Sequence, residues 1–194
     1  MELVTGGAGF IGSHLVDSLV SKGLKVRVLD NFSSGRKEFL EHHSETNNVE
    51  IIIADLLDLD AVKSAMNGIE TVHHLAANPD IRLGTEITDT DLQQGTIATY
   101  NVLEAMRHNG VKRISFASSS AIYGEASVMP TPETYGPVLP ISLYGASKLA
   151  SEALISSWCG TFGGEAWINR FANIVGPRGT HGVIFDFIHK LKKD

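Results

Sequence analysis

The sequence predicts an α/β fold in which helices cover a doubly wound parallel sheet. Short apolar runs alternate with segments of helical length along the 194 residues. Several runs are apolar at almost every position, as in parallel strands that helices cover on both faces. A glycine cluster directly follows the first run, where the chain must turn tightly from a strand into a helix. These three observations together predict alternating strands and helices.

Six strands are predicted from the apolar runs. The first, Leu3-Val4, leads into the glycine cluster, and the third, 49–54, is apolar at all but one position. The other strands are predicted at 26–29, 72–77, 114–117 and 167–171. Runs of this length between turn residues are typical of buried strands.

Helices are predicted between and after these strands. The segment 10–22 repeats apolar residues at helical spacing and ends at Gly23, as helices often do. The other predicted helices are 91–108, 144–158 and 183–193. The segment 125–143 holds four of the six prolines, and we expect it to form a loop at the carboxyl edge of the sheet. Ligands bind outside that edge in such folds.

Composition and charge exclude several kinds of partner. The net charge of −6 makes nucleic acid an unexpected partner. No apolar run approaches the roughly 20 residues of a membrane span. Cys159 alone cannot form an internal disulfide, and no leader precedes the first strand, so we expect a cytoplasmic protein. His73 and His74 occupy strand positions and no other potential ligands show metal-site spacing, so no metal is predicted.

The segment Thr5 to His14, TGGAGFIGSH, contains the strongest local motif. Its glycines satisfy GxGxxG, follow a strand and open a helix whose free N–H groups can bind a pyrophosphate. Asp30 ends the second strand, 18 residues after Gly12. Its carboxylate can accept hydrogen bonds from both adenosine ribose hydroxyls and would repel a 2′-phosphate. The sequence therefore predicts a Rossmann-type domain that binds NAD in preference to NADP.

Asp55 ends the third strand and has two interpretations. Its carboxylate can accept a hydrogen bond from the adenine amino group, or it can cap the helix that follows. Both interpretations remain open at this stage.

Seven motifs in order resemble the extended short-chain dehydrogenase/reductases, and among them the NAD-dependent epimerase/dehydratase family. They are TGGAGFIGSH, LDNFSSG at 29–35, ADLLD at 54–58, HLAA at 74–77, SSSAIYG at 118–124, YGASK at 144–148 and RFANIVGPR at 170–178. The resemblance implies cofactor contacts from Gly6, Gly9, Phe10, Ile11, Gly12, Asp30, Asn31, Ser34, Gly35, Asp55, Leu56, Leu75, Ala76, Ala77, Ser118, Tyr144, Lys148 and Phe171.

The resemblance also implies a catalytic pair, Tyr144 and Lys148, which share one face of a predicted helix. A tyrosine is a poor base at neutral pH, because its pKa lies near 10. A nearby ammonium group and a positive nicotinamide ring would both lower that pKa. We therefore expect Tyr144 to remove a proton from a substrate hydroxyl while hydride leaves the same carbon.

One serine is selected from Ser118-Ser119-Ser120. In the family the catalytic Ser or Thr stands four residues before the tyrosine of the next Tyr-Gly pair, here Tyr123, which implies Ser119. Ser118 would face the nicotinamide. Ser119, Ser120 and Asn173 would contact the substrate.

The residues after Ser119 narrow the reaction that the resemblance implies. Dehydratases of the family carry Asp-Glu there and related decarboxylases a nearby Glu, whereas this chain has Ser120-Ala121. The implied activity is a nucleotide-sugar 4-epimerase of the UDP-glucose/UDP-galactose type, which works through a 4-keto intermediate and regenerates its NAD. The alternatives are an NAD-binding protein of the same family without turnover and an oxidoreductase of a small substrate.

The chain departs from the family in two respects. Gly95 stands where the family often has an Asn. Family members also continue well past residue 194, so we divide the chain into an NAD-binding domain, 1–176, and the start of a substrate-binding region, 177–194, most of which is absent. We expect NAD binding but poor turnover from these residues. An active short form would have to build its sugar pocket from 78–90, 125–143 and 174–194, or borrow it from a partner subunit.

A homodimer is predicted through helices 91–108 and 144–158. The first of these carries apolar residues on more than one face, with Ile97, Leu103 and Met106 against Ala98, Val102 and Ala105. One face would pack on the sheet and the other would need a partner. Family members commonly pair these two helices into a four-helix bundle.

Overall fold

The computed structural model describes residues 1–180 and 182–192. The strands in this part of the chain are β1 (Glu2–Thr5), β2 (Val26–Asp30), β3 (Val49–Ile53), β4 (Thr71–His74), β5 (Arg113–Ser119) and β6 (Glu165–Phe171). They form one parallel sheet in the order β3-β2-β1-β4-β5-β6. The strand order reverses between β1 and β4, which is where doubly wound sheets bind ligands. The predicted fold class is confirmed.

The helices in this part of the chain are α1 (Phe10–Ser21), α2 (Leu59–Ala65), α3 (Leu83–Glu86), α4 (Ala98–Asn109), α5 (Leu143–Phe162) and α6 (Val183–Leu191). The helix predicted from residue 91 begins instead as a π-helical segment, Leu92–Ile97, which continues into α4. α5 is longer than predicted, and Lys193, the predicted end of α6, lies outside the described residues. None of the described helices combines the length and the apolar character that a membrane span requires.

Two apolar clusters cover the two faces of the sheet. Leu3 and Leu29 belong to the cluster beneath α2, α4 and α5, whereas their neighbours Val4 and Val28 belong to the cluster beneath α1. Successive strand residues thus point to opposite covered faces, as expected for a parallel sheet. Full burial of each such side chain contributes about 1.5–3 kcal/mol.

The two edge strands are less covered than the sequence predicts. Ile53 of β3 is 64% exposed and Trp167 of β6 is 51% exposed. The segment between β2 and β3 forms the short 3₁₀ turns Lys37–Phe39 and Glu41–His43 instead of a full helix, so one face of β3 stays open.

The fourth strand also ends earlier than predicted. Its last paired residue is His74, and residues 75–77 leave the sheet. The Thr5 hydroxyl accepts a hydrogen bond from the Ala76 N–H at 3.3 Å, which holds this segment over the carboxyl end of β1.

Candidate active site

A cleft of about 880 Å³ opens at the carboxyl edge of the sheet. Every cofactor position predicted from the sequence lines it except Asp55, and Ser119 and Asn173 line it as well. Ser120 does not line the cleft and is exposed. The predicted residues therefore come together from six strand ends, although they are up to 167 positions apart in the chain, from Gly6 to Asn173.

The floor of the cleft is the glycine turn between β1 and α1. Gly6 has φ +68°, and a Cβ there would lie 2.8 Å from the backbone of Ala76. A Cβ at Gly12 would overlap the carbonyl oxygen of Gly6. Gly9 caps α1 with no side-chain hydrogen bond from the described residues, so the first N–H groups of α1 stay available to a ligand.

Asp30 is buried at the end of β2, and backbone groups fix both of its oxygens. Oδ2 accepts from the Ala8 N–H at 2.9 Å, and Oδ1 accepts from the Phe32 N–H at 2.8 Å. A carboxylate has about four acceptor positions, so each oxygen can accept one more hydrogen bond. The carboxylate is thus oriented toward the cleft with capacity for two hydroxyl groups.

Asp55 does not line the cleft but contacts Asn31, which does. The Asn31 amide donates to Asp55 Oδ2 at 2.9 Å, and Asp55 Oδ1 accepts from the Leu57 N–H at 2.9 Å. The capping interpretation of Asp55 is wrong, because Asp58 caps α2 by accepting from the Ala61 N–H at 3.0 Å. Asp55 instead closes a turn that orients Asn31.

Lys148 is buried at the inner end of the cleft with only 3% of its surface exposed. Its ammonium group donates to the carbonyl of Ala117 at 2.7 Å and lies 5.7 Å from the centre of the Tyr144 ring. Burial lowers the pKa of Lys148 from 10.5 to about 8. The Lys148 ammonium group therefore stays charged at neutral pH, although its buried surroundings disfavour that charge.

The pKa of Tyr144 is shifted in the opposite direction to the one expected from the sequence. Burial raises it above the ordinary value, and a hydrogen bond with the Ser119 hydroxyl lowers it less strongly. Ser119 Oγ also accepts from the Ala121 N–H at 3.1 Å, which orients the hydroxyl group. The chain's own groups thus bring Ser119, Tyr144 and Lys148 together but keep the phenol protonated.

Asp91, which no motif in the sequence indicated, lies near this pair. It is 2% exposed, and its Oδ1 accepts from the Asn78 amide at 3.1 Å. Its Oδ2 has no hydrogen-bond partner among the described residues. Beyond the effects of burial, its negative charge raises the pKa of both Tyr144 and Lys148. Asp91 therefore helps to keep both groups protonated.

A second unpredicted group is the ion pair between the buried Glu152 and the partly buried Arg170. The Arg170 guanidinium contacts both carboxylate oxygens, the nearer at 2.8 Å, and Ser118 donates its hydroxyl proton to the same carboxylate. Arg170 also donates to the carbonyl of Glu133 at 2.9 Å. This pair joins β5, α5 and β6 to the proline-rich loop. Glu152 stands four residues after Lys148, so the shared helix face was a signal that could have identified it.

A buried polar chain fixes the other side of α5. Thr5 Oγ1 contacts His74 Nδ1 at 2.7 Å, and His74 Nε2 contacts Thr99 Oγ1 at 3.1 Å. Thr99 in turn donates to Ser151 at 3.1 Å. Burial, and then the charge of Lys148, lower the pKa of His74 to about 3, so this imidazole is neutral.

The segments expected to form a sugar pocket contribute unequally to the cleft. Residues 78, 79 and 81 line it, as do eight positions between 174 and 188, but none of 125–143 does. A Cβ at Gly95, where the family often has Asn, would lie 2.7 Å from Ser147 Oγ. Gly95 therefore lets the π-helical segment approach α5 closely.

Comparison with known proteins matches residues 2–194 to the NAD dependent epimerase/dehydratase family. A solved UDP-galactose 4-epimerase is 47% identical with a TM-score of 0.90, and the match covers 100% of this chain and 63% of that one. UDP-glucose 4-epimerase from Thermotoga maritima, solved with UDP-glucose, is 36% identical with a TM-score of 0.92, and the match covers 99% and 63%.

A relative with a different reaction is also similar. UDP-glucuronic acid decarboxylase 1 from Xenopus tropicalis is 35% identical over 182 residues, which are 91% of this chain and 41% of that protein. This chain spans less than two thirds of the length of each of these three proteins. Its glycine turn, its cleft and the match over residues 2–194 lead to one conclusion: the chain belongs to the NAD dependent epimerase/dehydratase family.

Proposed function

We propose that this chain carries the cofactor-binding and catalytic residues of an NAD-dependent nucleotide-sugar 4-epimerase of the UDP-glucose/UDP-galactose type. The observation that carries the proposal is a single cleft that contains both Asp30 and the group Ser119, Tyr144 and Lys148. Asp30 ends β2 and Ser119 ends β5, three strands apart in the sheet. That separation is roughly 14 Å, which suits an extended dinucleotide.

The residues present fit NAD. The glycine turn leaves room for a pyrophosphate where side chains would intrude, and the first N–H groups of α1 favour its negative charge. Asp30 can accept from two ribose hydroxyls, and its charge opposes a 2′-phosphate. Asn31, Ser34 and Gly35 line the same end of the cleft. We assign residues 1–176 to this NAD-binding domain and 177–194 to the start of a substrate-binding region.

The catalytic residues have distinct roles in the proposed reaction. When bound, NAD would supply the hydride acceptor and donor for the sugar carbon. The Tyr144 phenol would take the proton of the sugar hydroxyl, and Ser119 would hydrogen-bond the same oxygen. Lys148 would favour the phenolate, because a nearby ammonium stabilises the charged form. Since its ammonium is fixed on the Ala117 carbonyl, Lys148 stays beside Tyr144 throughout.

Epimerisation is favoured over dehydration and decarboxylation by the residues after Ser119. Ser120 is exposed outside the cleft, and Ala121 contributes only its N–H to Ser119. Neither residue can supply the additional acid or base that those two reactions need. Oxidation and reduction at one carbon need only the groups that the cleft contains.

The residues that support the proposed homodimer differ from those that predicted it in the sequence. Of the residues that indicated two apolar faces, all but Ile97 are buried within the chain itself, against α2, α5 and the sheet. Ile97 and Tyr100 remain 38% and 50% exposed, and they lie three residues apart along one helix face. Leu143, at the start of α5, is 48% exposed. We propose that a second copy covers these side chains.

Turnover of UDP-glucose tests the proposed reaction. We expect NAD-loaded chain at high concentration to form UDP-galactose, detected by NMR, without net NADH and at less than roughly 1 per second. The rate should be low because good positioning can supply roughly 7–11 kcal/mol of a barrier, and these residues hold only part of a substrate site.

Met129, Ile141 and Val175 are 81%, 76% and 64% exposed, as expected of a surface that further residues would cover.

Tyr144→Phe is the matched control, because it removes only the phenolic oxygen. Net accumulation of NADH would instead support a small-substrate oxidoreductase, and a decarboxylated product from UDP-glucuronic acid would support the decarboxylase reaction. NAD binding with no product at all would favour a binding protein without turnover. Fast turnover that Tyr144→Phe abolishes would support the epimerase and contradict the expected low rate.

A further inference from the structure

A cluster of three potential metal ligands lies outside the cleft, where α1 meets the 3₁₀ turn Glu41–His43. Asp17 projects from α1, and His42 and His43 are consecutive residues of the turn. The two Nε2 atoms contact the same carboxylate oxygen, Asp17 Oδ1, at 2.8 and 2.7 Å. All three ligand atoms lie within 4.8 Å of one another. We propose that Asp17, His42 and His43 bind one divalent zinc ion, independently of the proposed epimerase reaction.

The arrangement of the two imidazoles supports this assignment. Their ring centres are 4.0 Å apart and the rings are tilted by 41°, so both Nε2 atoms point to one position instead of diverging. In the absence of metal, both Nε2 atoms lie within hydrogen-bonding distance of a single oxygen, Asp17 Oδ1. Zinc would replace those two hydrogen bonds with two coordination bonds, once each ring proton has moved to Nδ1.

The second carboxylate oxygen of Asp17 is already occupied. Arg178 contacts Asp17 Oδ2 at 2.8 Å, so Oδ1 alone is directed at the histidines and Asp17 would bind the ion through one oxygen. Such outer contacts orient metal-binding side chains. The positive charge of Arg178 neutralises Asp17 and weakens its attraction for a cation. The two imidazole nitrogens then favour zinc over calcium or magnesium, which prefer oxygen ligands.

The distances and burial allow an ion to enter. Zinc–nitrogen and zinc–oxygen bonds of about 2.0–2.2 Å separate tetrahedral ligands by roughly 3.4 Å. Each histidine nitrogen, now 2.8 or 2.7 Å from Asp17 Oδ1, therefore needs to move about 0.6–0.7 Å farther from that oxygen. The His43 side chain is only 8% exposed and is fixed, whereas the His42 side chain is 48% exposed and can rotate. Water would complete the coordination from the open side. The bound ion would attach the turn that follows the Asn31–Gly35 loop to α1.

Zinc titration of the tag-free, EDTA-treated chain by calorimetry tests the proposal. We expect one equivalent of ZnCl₂ to bind, with an affinity that falls in His42→Ala, His43→Ala and Asp17→Asn. Loss of a direct ligand should weaken binding at least as much as loss of an outer contact, which costs about 10–100-fold. His108→Ala, which removes an exposed histidine of α4, is the matched control and should leave the affinity unchanged.

A second measurement does not depend on the folding of buried variants. Cobalt(II) added to the wild-type chain should give the visible absorption bands of a tetrahedral site, and the exposed substitution His42→Ala should remove them. The proposal is overturned if the wild-type chain binds no zinc at stoichiometric concentration. It is also overturned if His42→Ala binds zinc and cobalt as the wild-type chain does.

Discussion

The burial of Lys148 predicts a pH-dependent difference in stability between the chain and its Lys148→Met variant. A lysine pKa lowered from 10.5 to about 8 corresponds to about 3 kcal/mol of unfavourable burial of the ammonium group. Below pH 8 the lysine is charged in both the folded and the unfolded chain, so the folded state bears the whole of this cost. Above pH 8 the folded chain releases the proton first. The wild-type chain should therefore gain about 2 kcal/mol relative to Lys148→Met between pH 7 and pH 9.5.

Urea unfolding of both proteins across this pH range measures the difference. The loss of the hydrogen bond to the Ala117 carbonyl shifts the free energy of unfolding of the variant by a similar amount at every pH, so it does not affect the slope. Lys190→Met, which removes an exposed lysine of α6, controls for the general effect of a lost charge and should change little with pH. If the wild-type and Lys148→Met free energies ran parallel from pH 7 to pH 9.5, the ammonium would not be buried as described.

Three further expectations follow from the site and its surroundings. Asp30→Ala should reduce the preference for NAD over NADP by about tenfold or more, because it removes charge-assisted hydrogen bonds and the repulsion of a 2′-phosphate. Calorimetric titration with both cofactors measures the two affinities. His74 has a pKa lowered to about 3, so the folded chain resists its protonation. Relative to His74→Gln, the wild-type free energy of unfolding should fall by about 2 kcal/mol from pH 7 to pH 5. An equal fall in both proteins would contradict a neutral buried imidazole. Tyr100→Glu should convert the proposed dimer to a monomer in light scattering, whereas a wild-type chain that is monomeric at micromolar concentration would exclude the dimer.

The alternation of strands and helices could be predicted from the sequence because it depends on local pattern. Strand β2 and helix α1 carry apolar residues at the spacing that each element requires, and the glycine turn is needed wherever a strand turns directly into such a helix. The family motifs then located most of the residues that line the cleft, but not those between 179 and 188. The exposed face of β3 was not predictable in this way, because it depends on whether the segment after β2 folds into a helix.

The buried polar groups were missed for a related reason. Asp91, Glu152 and Arg170 are residue types common on a solvated surface. Only their partners in the fold reveal that Asp91 and Glu152 are buried and that Arg170 is partly buried. Glu152 and Ser118 are 34 residues apart, and Asp91 and Asn78 are 13 apart. No local periodicity encodes such pairings. The sequence did contain one signal for Glu152, because it stands four positions after Lys148 and therefore shares a helix face with it.

The direction of the Tyr144 shift changes how the site's chemistry should be understood. The resemblance to the family implied that Lys148 would prepare the tyrosine as a base, but burial dominates, and Asp91 adds to it by keeping the phenol protonated. Lys148 is itself buried and has a lowered pKa, so the fold disfavours charge on both members of the pair. A second positive charge beside the phenol is therefore needed to make it a base, and a nicotinamide ring in its oxidised form would supply that charge. Proton removal would then be possible only when the hydride acceptor is in place, so the low basicity of the isolated residues would couple the two steps of the proposed oxidation.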